Sequence, residues 1–343
     1  TITCDDGNSS GNTGTRTATY HIEEGETVKC TFTNTQSCPC AWSDMSCSAT
    51  GILRGIWASA PNDLFAVGDN GTIRHYNGAA WSAMTSGTTQ SLTSVWGSSA
   101  GNVFAVGLGG TILQYNGATW SAMSSGTTQP LGGVWGSGPN DVFAVGLLGT
   151  ILHYDGATWS AMTSGTTQHL GGVWGSGPDD VFASGGSGTL LHYDGAWSGM
   201  TSGTTEHLNG VWGTGPNNVF AVGHNGTILH YEGATWSPMS SGTGQHIGDV
   251  WGSGHDDVFA AGGSGTLLHY DGATWSPMTS GTSEHLGGLW GSGQDDVFAV
   301  GDAGTMLHYG CPAYPSIDVE KYVSVDDQAT WHDADTPPGP EVQ

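Results

Sequence analysis

Histidine recurs at two fixed places in a repeating phrase of this chain, and the two series point to different chemistry. His75, His153, His192, His230, His269 and His308 share one register, with Gln114 standing where another would fall. A place at which an amide replaces an imidazole serves packing and hydrogen bonding rather than proton transfer or ligation. His169, His207, His246 and His285 form the second series, beside Gln168, Glu206, Gln245 and Glu284. These are the candidate metal ligands. Ligand atoms must come within about 2 Å of an ion, however, and these side chains belong to separate repeats, so the expectation is solvated loop residues.

Carboxylates recur as well, at Asp63, Asp141, Asp180, Asp257 and Asp296, with Asp179, Asp256 and Asp295 beside three of them. Calcium is the ion such pairs would take, yet one pair per turn falls short of the roughly six to eight oxygens it needs. Turn capping is therefore expected of them, and no cofactor is called for. Catalysis requires a locally asymmetric constellation. The repeats are near copies with no Ser-His-Asp cluster and no phosphate loop, and no Lys or Arg lies between His75 and Glu320, which leaves no cation for an oxyanion. The chain reads as a platform and not an enzyme.

The elements that carry these residues follow from one period. Trp57, Trp96, Trp135, Trp174, Trp212, Trp251 and Trp290 open the same phrase at intervals of 39 residues, with one step of 38 before Trp212. The unit beginning at Val134 divides into four short apolar runs, VW, VFAVG, TILHY and WSAM, each read as a strand of four to six residues. Tyr-Asp-Gly or Tyr-Asn-Gly joins the third run to the fourth, as a tight hairpin requires. Four strands in such a length make a β-propeller blade, so the fold class is all-β, a seven-bladed β-propeller.

The WSxM run supplies the closure. It follows only six of the seven tryptophans, and its remaining copy, Trp42, Ser43, Asp44 and Met45, precedes the first unit at the spacing of fifteen seen from Trp81 to Trp96. Residues 42–45 are thus expected as the fourth strand of the last blade, whose other strands come from 290–309. Fourteen of the fifteen tryptophans sit at fixed strand positions, where they fill the wedge between blades.

Composition excludes several classes. With 30 acidic residues against 5 basic ones, the net charge of −25 repels phosphate backbones and anionic lipid, and nucleic acid is not a partner. No apolar run approaches a membrane span, and no cleavable leader is recognisable. Six cysteines, Cys4, Cys30, Cys38, Cys40, Cys47 and Cys311, all lie outside residues 48–310. Closure would bring Cys40 beside Cys311, so a Cys40–Cys311 disulfide is expected, contributing about 3–5 kcal/mol. Cys4–Cys30 and Cys38–Cys47 are the simplest remaining pairs. An oxidising, extracellular or cell-surface setting follows.

The organisation is therefore a segment at 1–37, the propeller at 38–311 and a segment at 312–343. The phrase VWGSGPDDVFAVGxxGTILHYDGATWSxM resembles tandem repeats of secreted or envelope-associated bacterial propellers, and that family implies no defined activity. EGETVKCTFTNT resembles the closing strands of the immunoglobulin-like repeats of large bacterial surface proteins, and IDVEKYVS with DADTPPGP resembles their opening strands. The resemblance implies incomplete domains at the two ends. Tyr20, Ile22, Val28 and Phe32 of the head and Ile317, Val319, Tyr322 and Val323 of the tail would join successive copies head to tail by strand complementation. The expected protein is then a structural subunit of a surface fibre or adhesin whose partner is itself. A glycan-binding propeller lectin, and an excerpt of a longer tandem protein without self-assembly, are the other two readings.

Overall fold

The computed structural model describes residues 40–45 and 51–311 in full, and elsewhere the backbone of strands Ile2–Cys4, Ser10–Asn12, Thr17–Thr19, Thr27–Phe32 and Val319–Ser324. Two compact units result, Cys40–Gly310 and the two terminal segments taken together.

The larger unit holds seven four-stranded antiparallel sheets. In blade 3 the strands run in order from Leu131–Gly138 through Asp141–Gly146 and Ile151–Tyr154 to Trp159–Met162. First strands of neighbouring blades touch one another all the way round, including that of blade 7 against that of blade 1, so they line the axis of a closed ring. These innermost strands have eight residues, longer than the apolar VW run implies. The flanking LGG and GSG look like loop in sequence, but glycine is what lets backbones crowd at the axis. A Cβ on Gly133 would lie 2.7 Å from the carbonyl oxygen of Gly171 in the next blade.

Glycine also explains the WG pair. The Trp135 ring lies where a Cβ on Gly175 of blade 4 would sit 2.7 Å from it, and five further blade contacts repeat this. Only where blade 7 meets blade 1 does alanine, Ala58, take that glycine's place, packed with Trp290.

Second strands are buried from their second residue onward, as in Asp141–Gly146, because both faces meet neighbouring blades. Phe143 at the centre packs against Tyr193 and Trp197 of the following blade, with ring centroids 5.6 and 6.1 Å apart. Each such phenyl removes enough surface that truncation to Ala costs about 3–5 kcal/mol.

Blade 7 is closed from the other end of the chain. Its strands Leu286–Gly293, Asp296–Gly301 and Met306–Gly310 are completed by Ala41–Asp44. Tyr309 pairs with Trp42, His308 with Ser43 and Leu307 with Asp44, and the Met45 N–H donates to the Met306 carbonyl at 2.8 Å. Trp42 packs on Tyr309 and Phe259 at 5.5 and 6.4 Å, taking the place the other WSxM tryptophans hold. Blade 4, one residue short at YDGAW, keeps its register of Tyr193 with Trp197 by tightening the hairpin at Gly195, where φ is +104°.

In the smaller unit, Thr27–Phe32 lies between Ile2–Cys4 and Val319–Ser324 in an antiparallel sheet. Cys4 is opposite Cys30, and Val319 through Ser324 pair with Phe32 back to Thr27. The tail strand therefore pairs with the head strand of its own chain, where the sequence suggested a neighbour's. Val28, Phe32, Val319, Tyr322 and Val323 belong to these strands, whereas Tyr20, Ile22, Ile317, Cys38 and Cys47 lie outside the described residues. Among the described residues no helix is long and apolar enough to cross a membrane.

Candidate functional site: the histidine collar

The residue before each innermost strand stands at one mouth of the ring. Going round, these residues are Ile52, Ser91, Pro130, His169, His207, His246 and His285. Four successive members of this collar are histidine, and their rings adjoin. His169 and His207 are 5.5 Å apart between centroids, and His246 and His285 are 4.7 Å apart. His224, from the 3-10 turn between the second and third strands of blade 5, closes the gap, at 5.1 Å from His207 and 6.1 Å from His246. Five imidazoles thus form one arc over blades 4 to 7. His224 occurs at its place in only one blade, so periodicity could not have shown it.

Burial sets the charge state of three of these rings. Loss of hydration holds His169, His207 and His246 below the usual imidazole range. Neighbouring imidazoles press His207 and His246 further in the same direction, and Asp302 opposes them at His246. These rings are neutral at pH 7 and keep a lone pair. Glycine gives them room: a Cβ on Gly263 would stand 2.7 Å from His246 Cε1, and one on Gly248 would stand 3.2 Å from His285 Cε1.

The same face changes character round the ring. Blade 1 carries an ion pair, Arg54 Nε to an Asp69 oxygen at 2.7 Å, with Arg54 holding the Asp69 carboxyl below the usual carboxylate range. Arg54 and Arg74 both belong to blade 1, so the ring does contain cations, contrary to the reading drawn from residues after His75. Blades 2 and 3 present Leu108, Leu147 and Leu148, the large apolar side chains most exposed among the described residues. Leu148 is 60 % exposed and held at φ +57°, where blades 1 and 5 place Asn70 and Asn225. Leucine there combines backbone strain with apolar exposure.

The other histidine series and the aspartates form one device. Asp141 accepts from Ser137 through one oxygen and pairs with His153 Nε2 at 2.6 Å through the other. Asp63, Asp180, Asp257 and Asp296 do the same with Ser59 and His75, Ser176 and His192, Ser253 and His269, and Ser292 and His308. Clusters of Ser, Asp and His therefore do exist, contrary to expectation. Their order is wrong for a nucleophile, since the carboxylate sits in the middle and the serine never meets the imidazole. These aspartates tie the third strand to the first turn and do not cap backbone N–H groups. That role falls to the hairpin residues, such as Asp155, whose side chain accepts from the N–H groups of Ala157 and Thr158. The signal was present: Asp precedes His by twelve residues in these five blades, Asn218 takes the aspartate's place before His230, and in blade 2 Asn102 and Gln114 replace both.

One carboxylate is unlike the rest. Asp249, on the innermost strand of blade 6, occupies a place filled by Gly or Ser in the other blades. Its oxygens accept from the Leu289 N–H of blade 7 at 2.8 Å and from its own strand's Val250 N–H at 2.9 Å. Burial pushes its pKa up to about 7, against the pull of those two donors.

At the closure, Cys40 and Cys311 are both disulfide-bonded, and their sulfurs and an Asp295 oxygen lie within 4.8 Å of one another. Sulfurs held in a disulfide are not thiolate ligands, so this trio is no metal centre.

Solved structures share this architecture. A structure described as YCF48 bound to D1 peptide superposes with a TM-score of 0.66 at 18% identity, covering 81% of this chain and 98% of that one. YCF48 from Cyanidioschyzon merolae gives 0.64 at 18% identity over 79% and 99% of the two chains. The WD40 β-propeller domain of Doa1 gives 0.65 at 11% identity over 81% and 97%. At these identities the likeness is one of fold, a seven-bladed β-propeller. No family model matches the chain. No curated protein matches it either.

Proposed function

We propose that this chain is a non-enzymatic, extracellular structural module of a bacterial surface fibre or adhesin, with the closed propeller as a rigid bead and the terminal strands as the joint. The observation that carries this reading is the six-residue antiparallel register between Val319–Ser324 and Thr27–Phe32. Head and tail are complementary strands separated by the whole propeller in sequence. Made within one chain, the pairing covers a sheet edge. Made between chains in the same register, it is a strand exchange whose head-to-tail geometry does not close on itself and so builds a filament. The immunoglobulin-like resemblance of both segments and the cysteines around them support a cell-surface setting.

Negative-stain images and light scattering over a concentration series test this. Filaments or ladders of oligomers are expected, and Val323→Pro, which removes a ladder donor from the tail, should return them to single beads with unchanged tryptophan fluorescence. Monodisperse particles at every concentration would sink the assembly reading. The glycan-binding alternative draws on shallow notches repeated between strands and lined by Met162, Thr163, Ser164, Gly165, Thr166 and Thr167 or their counterparts. Those linings contain hydroxyls but no aromatic ring on which a sugar could stack, which favours the structural reading.

A further inference from the structure

We propose that the histidine collar binds a borderline divalent transition-metal ion of the Zn2+ or Cu2+ kind, held between neighbouring imidazoles, with His246 and His285 as the principal pair. Three observations carry this, independently of any assembly by the terminal strands.

The first is the donor set. Imidazole suits Zn2+ and Cu2+ in preference to Ca2+ or Mg2+. Here five such rings stand side by side, the closest pair 4.7 Å apart between centroids. The second is the contrast with the other histidine series. His75, His153, His192, His269 and His308 each spend Nε2 on an aspartate at 2.6 to 2.7 Å. The collar rings make no such pair, and the buried Nδ1 atoms of His169 and His285 meet neither donor nor acceptor. A buried ring nitrogen without a partner is costly, and a coordinated ion or its bound water relieves that cost. The third is the glycine floor. Gly248 and Gly287 leave the His285 ring space that a Cβ would enter at 3.2 and 3.4 Å, and Gly263 does the same beneath His246.

The arrangement also limits the stoichiometry. Among the described residues these histidines do not bring three ligand atoms within 4.8 Å of one another. Each ion therefore takes two imidazoles from the protein and completes its shell with water, which leaves positions open to an outside ligand. Asp302, already close enough to act on His246, adds negative charge beside that pair. The four collar histidines and His224 are spread over successive blades, so a second ion can sit between His207 and His224.

The test is a Zn2+ titration by calorimetry on the full chain, stripped beforehand with EDTA. His246→Gln with His285→Gln should weaken the tightest binding by on the order of tenfold or more, as expected when both protein ligands are removed. His255→Gln, an exposed histidine at the opposite end of an innermost strand, should leave it unchanged. A smaller loss in the double variant, or an equal loss in His255→Gln, overturns the proposal. Should the double variant fold differently in EDTA by circular dichroism, Cu2+ electron paramagnetic resonance on the single variant His285→Gln decides instead. Loss of one coupled nitrogen relative to the unaltered protein supports the site, and an identical spectrum refutes it.

Discussion

Asp249 gives the sharpest test of how the ring is held. Its carboxyl group bridges blades 6 and 7 through the Leu289 N–H, and its pKa is raised from 3.8 to about 7. The folded protein thus holds this proton more tightly than the unfolded chain does. Stability contributed by the protonated group is present below about pH 4, is lost progressively as pH rises towards about 7, and is constant above that. A difference of about three units is worth roughly 4 kcal/mol as a ceiling. Asp249 as a residue is only half-buried, which brings the expected effect nearer to about 2 kcal/mol. Asp249→Ser copies blade 2, where Ser94 Oγ accepts the Val134 N–H at 3.3 Å across the same kind of blade boundary. Urea unfolding followed by tryptophan fluorescence at pH 4.5 and pH 8 gives the stability of each protein. The other carboxylates cancel in the difference between variant and parent, so this difference isolates Asp249. The variant should gain about 2 kcal/mol relative to the parent between the two pH values. A difference that stays flat within about 0.5 kcal/mol would show that this carboxylate is as freely solvated as any other and would refute the reasoning.

Leu148→Asn should stabilise the ring by about 1 kcal/mol, because asparagine tolerates the left-handed backbone that Leu148 is forced into, and thermal unfolding measures it. Gly175→Ala should cost about 1–3 kcal/mol by driving a methyl group into Trp135 and the Asp180 carbonyl; Ala58→Gly, the opposite change where blades 7 and 1 meet, should stay well below that in the same denaturation assay. Trp42→Ala should lose about 3 kcal/mol and expose the outer edge of blade 7, seen as a lower melting temperature and self-association on size exclusion.

Much of this was readable from residue types because the same solution is written seven times. The tryptophan period and the displaced WSxM copy fix the blades and their closure, since a wedge between sheets needs a large ring at one height. Innermost strand length was not readable, because glycine signals a turn in sequence and close backbone approach at the axis. The Asp–His pairs were visible only as two separate series until their constant twelve-residue offset is seen as a cross-strand contact. The collar set was visible as His169, His207, His246 and His285, but His224 and Asp249 each depart from the repeat once. Their meaning comes from burial and neighbours, which no period encodes.

The manner of closure sets how the ring carries load. Gly310 pairs with Ala41, so the chain enters and leaves blade 7 at the same end of one short strand pair. Tension between the two ends would peel those strands apart one rung at a time, the weakest way to pull on a ladder, and the other six blades would feel none of it. Cys40 and Cys311 stand directly outside that first rung, both disulfide-bonded. A covalent tie there short-circuits the force before it reaches a hydrogen bond. In an oxidising medium the propeller would stay unloaded under such a pull, and under reducing conditions the same pull would unwind it from blade 7.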